Sequence, residues 1–331
     1  MTHRRTVGRF VADALHAAGV RQAFTVPGES FLGLLDAFEG AGIRVIATRH
    51  EGAASFMAEA HGQLTGRPAV CLGTRAVGGT NLGIGIHTAR QDSTPMFAVV
   101  GQVERSFRGR EAFQEIDQVA TLGGLAKWAA EPHSANDVAA AMAEATRQAL
   151  GGRPGPVLLS FPEDLLDEPM PGDARLDSAR PPAARATDEE IRSIVEFLAA
   201  ARRPVILAGA GVLRARASTE LTRFAELLQI PVIAAWRRGD VISNDHPLYL
   251  GMAGVGAAAS VRQRLGAAPF EVREEPRRPD YAGLDHLRQP AAVFFRRQRL
   301  QRLRVADHQP RLVEGPDEVL RPRVIYRHLA P

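Results

Sequence analysis

The sequence is nearly free of cysteine and contains no long apolar run. Cys71 is the only cysteine, so an internal disulfide is excluded. No apolar stretch reaches the roughly 18 residues that a membrane span requires. Residues 1–20 have two early arginines but no continuous apolar core and no small-residue cleavage site, which indicates an amphipathic helix rather than a signal peptide. These absences predict a protein of a reducing compartment, such as the cytoplasm.

Outside one segment, the chain also lacks net charge. The whole sequence carries a net charge of +4, and residues 269–331 contain 13 arginines against 9 acidic residues. The rest of the chain is therefore electrostatically neutral. Because nucleic-acid-binding faces carry clustered positive charge, no such face is expected on the main body. Lys127 is the only lysine, and this preference for arginine is typical of a GC-rich coding sequence.

Short apolar runs alternate with helical patterns over residues 22–162. This alternation predicts an α/β fold with a doubly wound parallel sheet. In such open sheets, ligands bind beyond the carboxyl ends of the strands. The turns that fall at those ends contain Pro27-Gly28, Glu51, Thr74 and Gly101-Gln102. The predicted strands lie in the runs QAFTV, IRVIAT, PAVCLG, PMFAVVG and GPVLLSFP.

Changes in composition divide the chain into four segments. Residues 1–168 form the first predicted domain, and the Pro/Ala/Arg-rich residues 169–187 form a linker. Residues 188–267 are expected to begin a Rossmann-like central domain that is incomplete. Residues 268–331 are rich in arginine and proline and have weak periodicity. Two explanations stay open for this tail: a disordered segment, or the product of a reading-frame shift in a GC-rich gene.

Several motifs occur in order along the chain. They read VPGES, RHEGAASFMAEAHGQLTG, GTRAVGGTNLGIGIHTARQDSTP, VVGQV, EAFQEID and RPGPVLLSFPED. This series resembles the pyrimidine-binding domain of thiamine-diphosphate enzymes of the acetolactate synthase and pyruvate oxidase type. The later RPVILAGAGV and NDHPLYLGMAGVGA resemble the opening half of the same family's central domain. The resemblance covers about residues 5–267, and it implies a cytoplasmic enzyme that decarboxylates or ligates 2-oxo acids.

The resemblance implies roles for individual residues. Glu51 corresponds to a glutamate that hydrogen-bonds a ring nitrogen of the cofactor's aminopyrimidine and favours its imino tautomer. Pro27 and Gly28 correspond to a loop near that ring, and Thr74 and Asn81 fall in a further cofactor-binding run. Without the resemblance, Glu51 would be interpreted as a carboxylate favoured by the positive end of a helix. Small residues are expected on the inner face of the Glu51 helix, namely Gly52, Ala53, Ala54, Ser55, Ala58 and Ala60.

Other positions match the family less closely. Gln114 corresponds to a glutamine that lines the substrate pocket of acetolactate synthases. Ala76 and Val77 replace a glycine and a proline of the family's Thr-x-Gly-Pro-Gly run, and Glu163 stands where acetolactate synthases usually have lysine. The glycines of AGAGV, Gly209 and Gly211, are compatible with FAD, which some relatives bind in the central domain. Glu163 argues against assuming that the substrate is that of acetolactate synthases.

The family's diphosphate-binding motif has no counterpart in the sequence. Relatives hold the diphosphate through magnesium with a Gly-Asp-Gly followed by Asn-Asn, whereas the three asparagines here are isolated, at Asn81, Asn136 and Asn244. The expectation is an incomplete chain that is inactive alone and contributes the pyrimidine half of a site completed by a partner in a dimer. Two alternatives remain: a subunit of a split enzyme, and a non-catalytic binding module with the same fold.

Overall fold

The computed structural model describes residues 5–176 and 185–266 of the 331-residue chain. The predicted tail at 268–331 lies outside the described residues, and so does the middle of the predicted linker. The domain boundaries stay predictions. Two parallel sheets occur in the described part of the chain, one of six strands and one of three.

The first sheet has the strand order β2-β1-β3-β4-β6-β5, and all of its pairs are parallel. This arrangement confirms the predicted doubly wound α/β fold. The fully buried central strands are those with the longest apolar runs. Short Trp128–Ala130 is an edge strand that the sequence did not predict. The strands are β1 Gln22–Thr25, β2 Arg44–Ala47, β3 Ala69–Thr74, β4 Met96–Gln102, β5 Trp128–Ala130 and β6 Pro156–Pro162.

Helices cover both faces of this sheet, as a buried parallel sheet requires. On one face, α1 packs against α2 and α6, and the core includes Phe10, Phe31 and Phe97. On the other face, α3 and α4 pack around Ala54, Leu82 and Ile86. The helices are α1 Val7–Ala17, α2 Leu32–Gly40, α3 Glu51–Thr65, α4 Arg75–Asp92, α5 Gln118–Leu122, α6 Ala135–Leu150 and α7 Glu163–Asp167.

Ser30 does not cap a helix, although its place before an apolar pattern suggested that role. A short 3₁₀ turn, Glu29–Phe31, precedes α2, and the N-cap position of α2 is Phe31. The Ser30 hydroxyl is buried against Gly101, and it has no hydrogen-bond partner among the described residues. Packing at the end of β4 therefore determines the position of Ser30.

Helices α3 and α4 approach each other so closely that larger side chains are excluded between them. A Cβ atom at Gly85 would lie 2.2 Å from Ser55 Oγ, and one at Gly78 would lie 2.6 Å from the carbonyl carbon of Gly73. The small residues of α3 thus serve helix packing. The predicted inner face was wrong at Ala53 and Ala60, which are exposed.

The second sheet is a smaller parallel unit with the strand order β7-β8-β9. It contacts the first unit through Arg238, whose Nη2 donates to the carbonyl oxygen of Asp92 at 2.9 Å, and through an Arg237–Asp92 ion pair of 2.7 Å. Its elements are α8 Asp188–Ala200, β7 Ile206–Ala208, α9 Ala210–Ala215, α10 Ser218–Leu228, β8 Val232–Ala234, β9 Tyr249–Met252 and α11 Ala259–Gly266.

The α3–α4 contact gives a direct test of this packing. Gly85→Ala places a methyl group on Ser55, and overpacking of this kind typically costs about 1–3 kcal/mol of unfolding free energy. Gly124→Ala is the control, because a Cβ atom there would meet nothing within 4 Å, and its effect should stay within about 0.5 kcal/mol. Urea denaturation measures both values, and equal effects would contradict the packing described here.

Candidate active site

The turns that follow β1, β2, β3 and β4 converge at the carboxyl edge of the first sheet. Glu51 begins α3 directly after the turn that follows β2, and Thr74 is the last residue of β3. Pro27 and Gly28 lie between β1 and the 3₁₀ turn at Glu29–Phe31. Because parallel strands end at one edge, residues far apart in sequence meet there.

Glu51 has one carboxylate oxygen fixed and the other available. His50 caps α3 by accepting from the backbone N–H of Gly52 at 2.9 Å. Glu51 Oε2 accepts from Asn81 Nδ2 at 2.9 Å. Glu51 Oε1 accepts no hydrogen bond from the described residues, and it lies 3.4 Å from where a Cβ atom of Gly78 would be. The predicted pair Glu51 and Asn81 is thus brought together, with an acceptor left over.

Gly28 and Thr74 are also brought together. A Cβ atom at Gly28 would lie only 1.7 Å from Thr74 Oγ1, so no side chain fits at position 28. The Thr74 hydroxyl is buried, and it has no hydrogen-bond partner among the described residues. An unpartnered buried hydroxyl is costly. This corner therefore combines a close backbone contact that only glycine allows with unused hydrogen-bonding capacity.

Gln114 reaches the same edge through its backbone. It lies in the loop after β4, has a left-handed φ of 60°, and accepts at its carbonyl oxygen from the N–H of Ala76 at 3.2 Å. Its half-buried side chain makes no hydrogen bond to the described residues. A non-glycine residue in this conformation stores strain, which is typical of functional loops.

Arg75 is part of this edge, although the sequence alone indicated no role for it. Its Nη1 lies 3.2 Å from Glu29 Oε1, and its Nη2 donates to Glu163 Oε2 at 3.0 Å. Three residues distant in sequence form this cluster. Each of the three lies in one of the ordered motifs, but the motifs do not indicate that these side chains meet. Only the path of the chain at the sheet edge brings them together.

Two family models match the chain. The N-terminal TPP-binding domain of thiamine pyrophosphate enzymes matches residues 5–121, and the central domain of the same enzymes matches residues 191–268. A probable acetolactate synthase large subunit from Methanococcus aeolicus is 36% identical over 249 residues, which are 73% of this chain and 41% of that protein. The acetolactate synthase large subunit of Corynebacterium glutamicum is 34% identical over 265 residues, 78% of this chain and 42% of that one. The chain belongs to the thiamine-pyrophosphate enzymes of the acetolactate synthase type.

A solved structure gives the same assignment. The thiamine diphosphate-dependent 4-hydroxybenzoylformate decarboxylase of Rhodococcus jostii RHA1 superposes with a TM-score of 0.69 at 27% identity, covering 75% of this chain and 47% of that one. The chain thus spans less than half the length of these relatives. The predicted family and the cofactor of that family, thiamine diphosphate, are confirmed. The roles of individual residues in this thiamine-pyrophosphate enzyme stay predictions.

The two departures from the family's Thr-x-Gly-Pro-Gly run lie in the first turn of α4. The backbone N–H of Ala76 contacts Gln114, and the side chain of Val77 is exposed. Both residues therefore fit the helix without displacing Thr74 or Asn81.

Over residues 5–176 and 185–266, no group of three or more His, Cys, Asp or Glu side chains is arranged to hold a metal ion. No described helix is long and apolar enough to cross a membrane.

Glu115 braces the loop that carries Gln114. Its carboxylate accepts from the N–H groups of Gly109 at 2.7 Å and Ala112 at 3.2 Å, and it pairs with Arg108. The hydrogen bond from Gly109 lowers the pKa of Glu115, and the contacts with Ala112 and Arg108 add to this effect against partial desolvation. The loop is thus held by an ionised side chain.

The hydrogen bonds of Glu115 predict that the conformation of this loop depends on pH. Because the folded-state pKa of Glu115 is lowered, the stabilisation is complete above the ordinary glutamate value, and it is lost as pH falls through the lowered pKa. Amide NMR signals of Gly109 and Ala112 should therefore shift as pH falls below the ordinary glutamate pKa of about 4.3. Glu115→Gln should remove the transition, whereas Glu104→Gln, at an exposed side chain with no hydrogen bond, should preserve it. A transition that survives Glu115→Gln would contradict this assignment.

Proposed function

We propose that this chain contributes the pyrimidine half of the active site of a thiamine-diphosphate-dependent enzyme that decarboxylates or ligates 2-oxo acids. The observation that carries the proposal is the geometry of Glu51. Asn81 fixes one oxygen of this carboxylate, and the other oxygen is free to bind a ligand at the sheet edge. The relatives named acetolactate synthase support the reaction class.

The residues at this edge fit an aminopyrimidine ring. Glu51 Oε1 provides a hydrogen-bond acceptor without a partner, and the buried hydroxyl of Thr74 provides a second polar group without one. Gly28 and Gly78 let the backbone pack closely beside these groups, against Thr74 and Gly73 respectively. When bound, thiamine diphosphate supplies the nucleophilic thiazolium carbon that attacks the substrate carbonyl group.

In this proposal, Glu51 acts on a proton and Asn81 orients Glu51. The Oε1 atom would share a proton with the ring nitrogen of a bound aminopyrimidine and would thereby favour the imino form of its exocyclic nitrogen. The Asn81 amide keeps the carboxylate from rotating away. A positioned proton-transfer group of this kind typically contributes about 10²- to 10⁴-fold in rate.

The diphosphate and magnesium are proposed to be bound by polypeptide beyond the described residues, in a second subunit. An apolar surface on α3 and α4, the helices that contain Glu51 and Asn81, supports this arrangement. It consists of exposed side chains on α3 and α4, namely Ala53, Phe56, Met57, Leu64, Val77 and Ile84. Exposed apolar patches of this kind mark interaction sites, and this one starts on the same helix as Glu51. A partner bound to this surface would lie next to the helix that begins with Glu51.

Two other functions remain as alternatives. A subunit of a split enzyme would use the same surface, with a dedicated partner chain. A non-catalytic binding module would keep the fold without turnover, and Ala76 and Val77 favour it relative to a typical acetolactate synthase. The free oxygen of Glu51 favours catalysis, because a binding module has no need of a carboxylate oriented in this way.

Subunit complementation tests the proposal. The chain is mixed with a complete acetolactate synthase relative whose own glutamate at the position of Glu51 has been replaced, and CO₂ release from pyruvate is measured with thiamine diphosphate and magnesium. The chain alone should be inactive, and the mixture should be active. Glu51→Gln should lower this activity about 10²- to 10⁴-fold, with unfolding free energy changed by about 1 kcal/mol or less.

Two variants separate chemistry from assembly. Phe56→Asp introduces a charge into the apolar surface, where the ring is 42% exposed, and it should abolish association in sedimentation experiments. Glu51→Gln should associate normally. Equal activity of wild type and Glu51→Gln would contradict the role of Glu51, and an active Phe56→Asp mixture would contradict the docking surface.

FAD is a second cofactor that we propose for the cleft between the two units. The guanidinium of Arg214 faces this cavity of about 250 Å³. Burial lowers the pKa of Arg214, as do the nearby positive charges of Arg238 and Arg153. No carboxylate among the described residues pairs with Arg214. Two arginines, Arg214 and Arg238, line this cavity beside the carboxylates of Asp92 and Asp240. Arg238 pairs with Asp92, so Arg214 is the group that favours an anionic ligand such as the diphosphate of a dinucleotide.

Flavin fluorescence tests this cleft. The fluorescence of FAD should be quenched on binding to the chain, and the quenching should saturate. Arg214→Gln should weaken FAD binding by about tenfold, as expected for loss of one charged hydrogen bond. Arg223→Gln, on an outer helix away from the cavity, is the control. Absence of saturable quenching in the wild-type chain would contradict FAD binding.

A further inference from the structure

A charged cluster lies at the carboxyl edge of the first sheet, beside the Glu51–Asn81 pair. Arg75 is its centre, with a side chain only 13% exposed. The two carboxylates around it are more accessible, at 54% for Glu29 and 34% for Glu163. The guanidinium Nε is buried, and it has no hydrogen-bond partner among the described residues. The hydrogen bonding of the guanidinium is therefore incomplete, and its position is determined by the two ion pairs.

The backbone of Arg75 is held in an unfavourable conformation. Its φ is 46°, in the left-handed region, although it is the first residue of α4 and is not a glycine. Thr74, at the N-cap position, makes no capping hydrogen bond. Non-glycine residues persist in this region when surrounding contacts enforce it. The two ion pairs of Arg75 are such contacts.

The cluster connects the turn after β1 with the end of β6, although β1 and β6 do not pair in the sheet. Glu29 directly follows Gly28, at the start of the 3₁₀ turn after β1. Glu163 is the first residue of α7, directly after β6. In the strand order, β3 and β4 separate β1 from β6. Through one guanidinium, the turn after β1 is therefore tied both to the end of β3 and to the end of β6.

We propose that Arg75 is a positioning residue that holds the turn containing Pro27, Gly28 and Glu29 against Thr74. It acts through Glu29, since that carboxylate belongs to the turn and the Arg75 side chain does not reach Gly28 itself. The contact matters because Gly28 packs on Thr74 without space for a Cβ atom, so a small displacement of the turn opens the corner. That this corner receives a pyrimidine ring rests on the proposed function.

Hydrogen–deuterium exchange of the chain itself tests the role of Arg75. The amide of Leu32, which donates to the carbonyl oxygen of Glu29, reports on the turn. Arg75→Ala and Glu29→Gln should each raise exchange around residues 29–34 by about tenfold, as local opening does, while β3 and β4 stay protected. Arg75→Lys keeps the charge and should restore most of the protection.

A matched control exists at the same sheet edge. Arg105 also pairs with two carboxylates, Asp164 and Glu168, but neither belongs to the turn after β1. Arg105→Ala should leave exchange at residues 29–34 unchanged. If Arg105→Ala and Arg75→Ala increase exchange equally there, or if Arg75→Ala changes nothing, Arg75 does not position the turn.

A charge exchange separates the two ion pairs. The double variant Arg75→Glu with Glu163→Arg restores an ion pair between β3 and β6 but leaves Glu29 facing a negative charge. The turn should then stay open while the rest of the sheet remains protected. Restored protection of the turn in this double variant would overturn the proposal.

The complementation assay distinguishes this inference from the proposed function. If the mixture is active, Glu29→Gln should raise the KM for thiamine diphosphate more than it lowers kcat, because the turn positions and does not react; unchanged KM would count against the inference. If the mixture is inactive but the exchange results hold, the proposed function fails and the positioning role stands.

Discussion

The close contact between α3 and α4 is the constraint on which the candidate site depends. Ser55 fills the space beside Gly85, and the backbone of Gly78 lies against that of Gly73, so α4 is held at once against α3 and β3. This spacing is what brings the amide of Asn81 within 2.9 Å of Glu51. With larger side chains between the helices, the carboxylate would lose its orienting partner, because protein interiors transmit small changes in volume. The small residues around Glu51 thus allow the close helix packing that orients its carboxylate.

Electrostatics at the same edge depends on arginines placed between carboxylates. Arg75, Arg105 and Arg108 each contact two acidic side chains. These groups are partly exposed, so each ion pair contributes little to global stability. Their effect is geometric, since planar guanidinium groups with several donors fix the relative positions of loops. The rigidity of the edge therefore comes from many weak contacts rather than from a buried core.

The sequence predicted the features that local pattern controls. The alternation of apolar runs and helices predicted the parallel sheet, and ordered motifs predicted the family, Glu51 and Asn81. It did not predict strand β5, which has only three residues, nor the 3₁₀ turn in place of a Ser30 cap. It also missed Arg75, Glu29 and Glu115. These residues act through partners fixed by the path of the chain, and one sequence contains no signal for such contacts.

Helix α4 joins the two ends of the described structure. Asn81 lies in its second turn, and Asp92, its last residue, is bound by Arg237 and Arg238 of the second unit. A helix of 18 residues is on the order of 27 Å long. Because a packed helix moves nearly as a rigid rod, rotation of the second unit would pull on one end of α4 and reorient the amide at the other. The cleft and the Glu51–Asn81 pair therefore share a single structural element.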